Sequence, residues 1–249
     1  MARVAVLAVL AALLAPASQA NAAEGEGGFI QPANNDIGNI ASLQRGAKYF
    51  VNYCLGCHSA NYVRYNRLAE DLGITEEQLI DNLMFTGERP YDTMISAMPA
   101  ESAERWFGTA PPDLSLIARS RGTDWIYSYL KSFYLDDARP TGTNNLVLEA
   151  TAMPHVLWEL QGWQQPVMHE TAGDAAGPVV VERLEPATEG MLSAAEFDRV
   201  VRDLANFLDY VSEPVQLERR RLGIRVILFL LVFLLFAYLL KKEYWKQVR

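Results

Sequence analysis

Two cysteines and a histidine stand together at residues 54–58, in the order Cys-Leu-Gly-Cys-His, and they are the residues best suited to do chemistry. Cys54 and Cys57 are the only cysteines in the chain. Their spacing lets two thiols add to the two vinyl groups of a haem while the adjoining His58 reaches the iron from the same side. The motif therefore predicts one covalently attached haem c, with His58 as an axial ligand.

Other kinds of site also use closely spaced cysteines. A thioredoxin-like redox pair comes with a βαβ pattern, which the flanking sequence lacks, and a zinc site needs a second cluster of ligands. An oxidising compartment would also allow a disulfide between the two thiols. The histidine directly after the second cysteine favours haem over these alternatives.

The ligand on the other side of the iron does not follow from the motif. Six methionines and two further histidines are candidates: Met84, Met94, Met98, Met153, Met168, Met191, His155 and His169. Met98 and Met153 stand out because each precedes a proline, which prevents a helix and suits presentation of a thioether. Most methionines are core filler, so chemistry alone leaves both open.

A mostly α-helical fold with long loops is predicted around the motif. Apolar residues at helical spacing predict a helix from about Ser42 to the haem motif, and a capping box at Ser193 and Glu196 starts an amphipathic helix that reaches Tyr210. Shorter helices are predicted over 76–85, where Thr75 and Gln78 look like a capping pair, and over 113–120. A further helix is predicted after a Thr123 cap, with Trp125 and Tyr129 on its apolar side. Residues 136–153 are expected to be irregular, and 173–190 to form a polar loop with a short strand at 179–181.

The chain has an apolar run near each end, and the two runs predict different kinds of segment. Residues 4–14 follow Arg3 and lead into small residues with an Ala-x-Ala pattern, which is typical of a secretory signal peptide. That run is too short to span a bilayer comfortably. Residues 222–240 would cover about 28 Å as a helix, close to the hydrocarbon thickness of a membrane.

A buried core helix is the alternative for the second run, but the Lys- and aromatic-rich flank at 241–246 favours a membrane helix. Export of the residues before 218 then places the soluble domain in the periplasm, held by one pass through the bacterial inner membrane. The predicted organisation is a signal peptide at 1–22, a haem domain at 23–217, a transmembrane helix at 222–240 and a cytoplasmic tail at 241–249.

The predicted exported domain is strongly acidic. Residues 23–217 contain 13 Lys and Arg against 28 Asp and Glu, a net charge of −15, compared with −8 for the whole chain. Such a field repels nucleic acid and would steer a basic soluble partner towards the domain. Acidity also serves solubility, and composition does not separate these two roles.

Several motifs together resemble one family. They are the haem motif, Ala-Pro-Pro-Asp-Leu-Ser at 110–115, Arg-Ser-Arg-Gly at 119–122, the segment around Met153, and Ser-Glu-Pro at 212–214. From about Ile37 to the C-terminus the chain closely resembles cytochrome c1, the haem subunit of the ubiquinol–cytochrome c reductase (bc1) complex. The Pro-Pro-Asp-Leu-Ser block is far more specific than the haem motif, which all c-type cytochromes share.

The resemblance implies roles for particular residues. It selects Met153 as the sixth ligand, because the family's methionine lies between the Pro-Pro-Asp-Leu-Ser block and the last soluble helix. It implies that Arg121 lies against a haem propionate and that Pro111 packs on the haem near its edge. The sequence departs from mitochondrial relatives directly after Met153, where it lacks a second proline, and His155 is a rival ligand for this reason.

The resemblance also implies a function. An electron from quinol oxidation at cytochrome b would arrive through a Rieske iron–sulfur protein and leave to a soluble or tethered cytochrome c, within a dimeric membrane complex. An independent membrane-anchored cytochrome that serves a terminal oxidase is the alternative. A haem enzyme such as a peroxidase is a further one, and it would need an open iron position.

Overall fold

The computed structural model describes residues 29–169 and 180–246. The predicted signal peptide at 1–22, the last three residues of the tail and part of the loop predicted at 173–190 lie outside these residues.

Within the described residues the fold is mostly helical, as predicted. The helices are α1 (Ile40–Tyr53), α2 (Tyr65–Leu72), α3 (Glu76–Asn82), α4 (Ala100–Phe107), α5 (Ile117–Arg121), α6 (Thr123–Lys131), α7 (Trp158–Gln161), α8 (Ala194–Ser212) and α9 (Gln216–Trp245). The strands form three antiparallel pairs: β1 (Ala60–Arg64) with β2 (Thr93–Met94), β3 (Phe133–Leu135) with β4 (Thr143–Asn145), and β5 (Gln164–His169) with β6 (Val180–Pro186).

The core is built on the crossing of α1 and α8. Helix α1 starts at Asn39, whose side chain accepts a hydrogen bond from the Ser42 backbone, and α8 starts at the predicted Ser193–Glu196 capping box. The two helices meet at Gly46, where a Cβ would collide with the Asp203 carbonyl oxygen and the Phe207 side chain. Only glycine allows so close an approach, so this position fixes how α1 lies on α8.

A polar cluster locks the same crossing from inside the core. The carboxylate of Asp203, which is only 3% exposed, accepts hydrogen bonds from Ser42 Oγ at 2.6 Å and from Arg45 Nε at 2.6 Å. Asn206 Nδ2 donates to the same Ser42 oxygen at 3.0 Å. Every buried charge in this cluster has a partner. The cluster therefore fixes the orientation of α1 relative to α8 without leaving an unpaired charged group in the core.

The predicted elements differ from the observed ones at several ends. Helix α3 stops at Asn82, earlier than predicted, while its Thr75–Gln78 capping box is present. Helix α6 begins at Thr123 itself, after Gly122, whose φ of +88° suits glycine, and no side chain caps it. The segment predicted as irregular at 136–153 contains β4, and the predicted short strand is the longer β6.

Helix α9 is the one helix among the described residues that is long and apolar enough to cross a membrane, with a mean hydropathy of 2.7 over its most apolar 18 residues. It starts at Gln216, before the predicted span, and so takes in the three arginines at 219–221. The charged residues directly before the predicted membrane span are therefore helical, and Glu213 to Val215 alone separate α8 from α9.

Candidate functional site

The haem motif lies directly at the end of α1, which positions it. Cys54 is the residue at which the helix ends, and its backbone N–H still bonds to Phe50. The chain then turns tightly, since both Cys57 N and His58 N donate to the Cys54 carbonyl oxygen, at 3.0 and 2.8 Å. A rigid helix followed by this short turn brings both sulfurs and the imidazole to one side of the chain.

These three residues line a cavity of about 480 Å³. Its other walls come from the loop before α5, from α6, from the segment 148–156 and from two leucines of α8. The residues used below are Pro111, Arg121, Trp125, Tyr129, Thr151 and Met153. The volume falls in the range of about 300–1,000 Å³ that ligand and cofactor sites occupy, and most of the lining is apolar, as a flat macrocycle requires.

The imidazole of His58 is oriented by the Pro-Pro-Asp-Leu-Ser block. His58 Nδ1 lies 2.8 Å from the Pro112 carbonyl oxygen, and because a carbonyl can only accept, Nδ1 carries the proton. Nε2 is then the nitrogen with a free lone pair, which is the arrangement found in metal-bound histidines. The block is held to the strand after the motif by Leu114 N, which donates to Ser59 O at 2.8 Å.

Before haem attachment, burial favours the neutral form of all three motif side chains. Burial, and secondarily the neighbouring Cys57, raises the pKa of Cys54 to about 12, and burial raises the pKa of Cys57. Burial also lowers the pKa of His58, against the opposing effects of the Pro112 carbonyl and Asp113. A neutral imidazole is the form that can bind iron.

The candidate methionines lie in different environments in the structure. Met153 lines the cavity that contains His58. Met98 lies outside that lining, beside Ser96, whose hydroxyl donates to the Gly56 carbonyl oxygen. Of the others, Met94 is fully buried in the core, Met84 packs against it, and Met168 and Met191 are exposed.

His155 does not face the cavity. It is 4% exposed, its ring stacks on Phe133 at 5.1 Å between centroids, and Trp163 packs edge-on against it at 5.8 Å. Burial lowers the pKa of His155 to about 4. The rival ligand considered from the sequence is therefore held in an aromatic cluster on the other side of the segment that carries Met153.

Arg121 and Pro111 both line the cavity. The guanidinium of Arg121 lies over the Trp125 ring, 5.2 Å from its centroid. This cation–π contact fixes an exposed charged group at the mouth of an apolar cavity, where it could meet an anionic group of a ligand.

Some lining residues were not identified from the sequence as site residues. The sequence pattern places Trp125 and Tyr129 only on the apolar side of a helix and gives Thr151 no role, yet all three line the cavity. Tyr129 Oη and Thr151 Oγ1 lie 2.8 Å apart in the wall beside Met153. A helical apolar pattern reports burial, and it does not tell whether a side chain is buried against protein or against a cofactor.

A helical domain with a Cys-x-x-Cys-His turn at a haem-sized apolar cavity is a c-type cytochrome. The model of the cytochrome C1 family matches residues 36–248. The chain belongs to the cytochrome c1 family, so it carries a covalently bound haem c and acts in electron transfer.

Named relatives cover most of the chain. Cytochrome c1 of Allochromatium vinosum is 52% identical over 96% of this chain and 98% of its own. A Nitrosomonas europaea protein named ammonia monooxygenase gamma subunit is 45% identical over 96% of this chain and 97% of its own. The mitochondrial cytochrome c1 haem protein of Saccharomyces cerevisiae is 26% identical over 84% of this chain and 68% of its own.

Replacement of one thiol at a time tests the attachment site. In Cys54→Ser and in Cys57→Ser we expect most of the covalently bound haem to be lost, because each thiol supplies one thioether bond. Haem staining after denaturing electrophoresis measures it, with protein abundance followed by immunoblot. Undiminished staining in both variants would exclude these residues as the attachment site.

Paired methionine variants test the sixth ligand. Met153→Leu should abolish the near-infrared sulfur-to-iron band of the oxidised protein and lower the midpoint potential, because a thioether ligand raises the potential. Met98→Leu is the matched control, since the same change is made at a methionine outside the cavity lining. The opposite pattern would assign the ligand to Met98.

Proposed function

We propose that this chain passes single electrons from a Rieske iron–sulfur protein to a cytochrome c, as the haem subunit of a quinol–cytochrome c reductase. The observation that carries the proposal is the meeting of the Cys-x-x-Cys-His turn and Met153 at one cavity, in a chain whose match to the cytochrome c1 family covers residues 36–248. The bound haem supplies a one-electron iron couple.

The chain's own residues have distinct tasks in this proposal. Cys54 and Cys57 would hold the haem covalently, His58 and Met153 would supply the two protein ligands of its iron, and Pro111 would pack against it. The Pro112 carbonyl fixes the tautomer of His58. Ligation of the iron by two protein side chains would suit electron transfer and disfavour a peroxidase, which needs an open iron position.

The membrane arrangement is part of the same proposal. Helix α9 anchors the chain in the inner membrane in contact with lipid, the domain before it faces the periplasm, and the residues after the membrane span are cytoplasmic. We place the signal peptide at 1–22, the haem domain at 23–217, the membrane span at 222–240 and the tail at 241–249. Cytochrome b is the expected membrane partner, and the complex is expected to be dimeric.

The proposal is tested by purification of the chain in mild detergent. We expect cytochrome b and an iron–sulfur protein to copurify with it and the isolated complex to reduce cytochrome c with quinol. Isolation of the chain with a terminal oxidase would support the alternative of an independent electron carrier. One relative is named ammonia monooxygenase gamma subunit, and it aligns over the same 96% of this chain as the cytochrome c1 relative. The proposal follows the cytochrome c1 family match, which covers residues 36–248.

A variant of Arg121 tests the proposed contact with a haem propionate. Arg121→Ala removes a positive charge at the cavity and should shift the midpoint potential, because a guanidinium favours the ionised acid and helps to hold the haem edge. Thioether formation should continue. Arg119→Ala is the control, because it removes the same charge from the same short helix outside the cavity lining. Equal midpoint potentials in the two variants would mean that Arg121 is an ordinary surface residue without the proposed contact to a propionate.

The acidic surface leads to a prediction about docking. Helix α4 carries Glu101 and Glu104, exposes Trp106 and ends at Phe107, which lines the cavity. A second acidic stretch, at 182–189, does not contribute to this lining, whereas the single residue Glu149 does. Helix α4 brings two acidic side chains next to a lining residue, and we propose that it is part of the surface that steers a basic cytochrome c.

Stopped-flow reduction of a basic cytochrome c should slow steeply as salt rises, while electron arrival from the iron–sulfur protein changes little within the assembled complex. Glu101→Gln with Glu104→Gln should slow the low-salt reaction about threefold or more, and the difference should vanish at high salt. Glu76→Gln with Glu77→Gln, on α3, is the control, since it removes the same charge away from the cavity. A flat salt dependence would mean that the acidity does not steer the acceptor.

A further inference from the structure

The segment that carries Met153 is held in place by two consecutive buried asparagines. Asn144 and Asn145 are 4% and 1% exposed and lie in β4, which pairs with β3 at the end of α6. Amide side chains are rarely this buried unless their hydrogen-bonding groups are used. Both side chains are used, and three of their partners belong to the chain between β4 and Met153.

Asn145 organises the first half of this segment. Its Oδ1 accepts hydrogen bonds from Val147 N at 2.8 Å and from Leu148 N at 3.1 Å. Its Nδ2 donates to the Tyr129 carbonyl oxygen at 2.8 Å, and Ser132 Oγ donates to Oδ1 at 3.1 Å. One amide thus connects the turn after β4 to the end of helix α6.

Asn144 organises the second half. Its Oδ1 accepts from Ala150 N at 2.9 Å, and its Nδ2 donates to Asp136 Oδ2 at 2.9 Å. Ala150 has a φ of +58°, a left-handed conformation that costs free energy in any residue with a Cβ. The hydrogen bond from Ala150 to Asn144 holds the backbone in this conformation.

Residues on either side of Met153 are also held by side chains of α6 and β3. Thr151, directly after the left-handed residue, pairs its hydroxyl with Tyr129 at 2.8 Å. His155, two residues after Met153, is stacked on Phe133. Tyr129 lies in α6, and Phe133 lies in β3, which follows α6. The contacts before and after Met153 therefore attach this segment to the same part of the fold.

We propose that Asn144 and Asn145 are positioning residues for the axial methionine: they hold residues 146–151 in the conformation that keeps Met153 on the iron. This inference rests on the proposed function in one respect, the assignment of Met153 as the ligand. Neither asparagine lines the cavity, so each acts through the backbone of the segment and not by contact with the haem.

The strength of methionine ligation can be measured by competition with added imidazole in the purified membrane complex. Asn144→Ala and Asn145→Ala should each increase the affinity for imidazole about tenfold, which corresponds to about 1.4 kcal/mol, because each removes hydrogen bonds that favour the ligated conformation. They should also weaken the near-infrared sulfur-to-iron band and leave covalent haem attachment in place.

Thr143→Val is the matched control. Thr143 is 1% exposed on the same strand, and its side-chain hydroxyl lies 3.5 Å from that of Thr141, away from residues 146–151. We expect its imidazole affinity to stay within about twofold of the unchanged protein, whereas a purely structural weakening of the strand would move all three variants together. An equal response of the three variants would overturn the inference.

Variants at Ala150 test the same segment without changing the core. Ala150 is exposed and belongs to the cavity lining, and at its positive φ a β-branched valine is resisted whereas glycine is tolerated. Ala152→Val is the control, since it adds the same side chain to the same lining at a residue without a positive φ. Imidazole should bind more tightly to the valine variant than to the glycine variant. Equal affinities would overturn the inference even if the asparagine variants failed to fold.

Met153→Leu separates the two proposals. In one outcome, Met153→Leu removes the near-infrared band while the asparagine and Ala150 variants bind imidazole like the unchanged protein. In that case the positioning role of the asparagines is wrong and the assignment of Met153 as the ligand is supported. If the band survives in Met153→Leu, the ligand assignment is wrong and the inference falls with it.

Discussion

The close crossing of α1 and α8 at Gly46 is the contact on which the rest of the domain depends. Helix α1 ends in the haem motif, and α8 contributes two leucines to the opposite wall of the cavity while α5 and α6 pack against it. The Asp203 cluster fixes the rotation of one helix on the other. The positions of Cys54 and of the cavity walls are therefore set by one helix pair, and the long loops are arranged around it.

Polar contacts fix the conformation of the loops around the site, beside the apolar packing of loop residues such as Leu114 and Val156 on the core. The Pro112 carbonyl orients His58, and the paired asparagines of β4 shape the segment before Met153. Buried hydrogen bonds contribute modest net stability, but they select one conformation because an unpaired buried group is costly. A cofactor held by loops needs this kind of selection, since apolar packing alone is non-directional.

The sequence was sufficient for the features that depend on local pattern. The haem motif, the helix before it, both capping boxes and the C-terminal apolar helix each occupy a short window, and the structure contains each of them. Membership of the cytochrome c1 family confirms the haem that the motif predicts. Local pattern could not choose between Met98 and Met153, because both precede a proline. Their positions differ only in the folded chain, where one lies by the Gly56 carbonyl and the other in the cavity wall.

Local pattern also missed features that depend on long-range partners. Asn144 and Asn145 looked like part of an irregular segment, since buried amides have no periodicity and are recognised only through their partners on α6 and beyond. The Thr123 cap was wrong for a related reason. A threonine before an apolar run is typical of a helix start, but the left-handed Gly122 already turns the chain into α6.

The three residues between α8 and α9 limit how far the domain can travel. Fully extended, such a link spans only about 10 Å, and here the Arg219–Glu213 ion pair at 2.6 Å bridges it. A domain tethered so briefly to a membrane helix cannot sweep across the bilayer surface in search of a partner. Its redox centre would remain at a nearly constant height above the lipid. The proteins that donate electrons to it and accept electrons from it would therefore have to move to reach it.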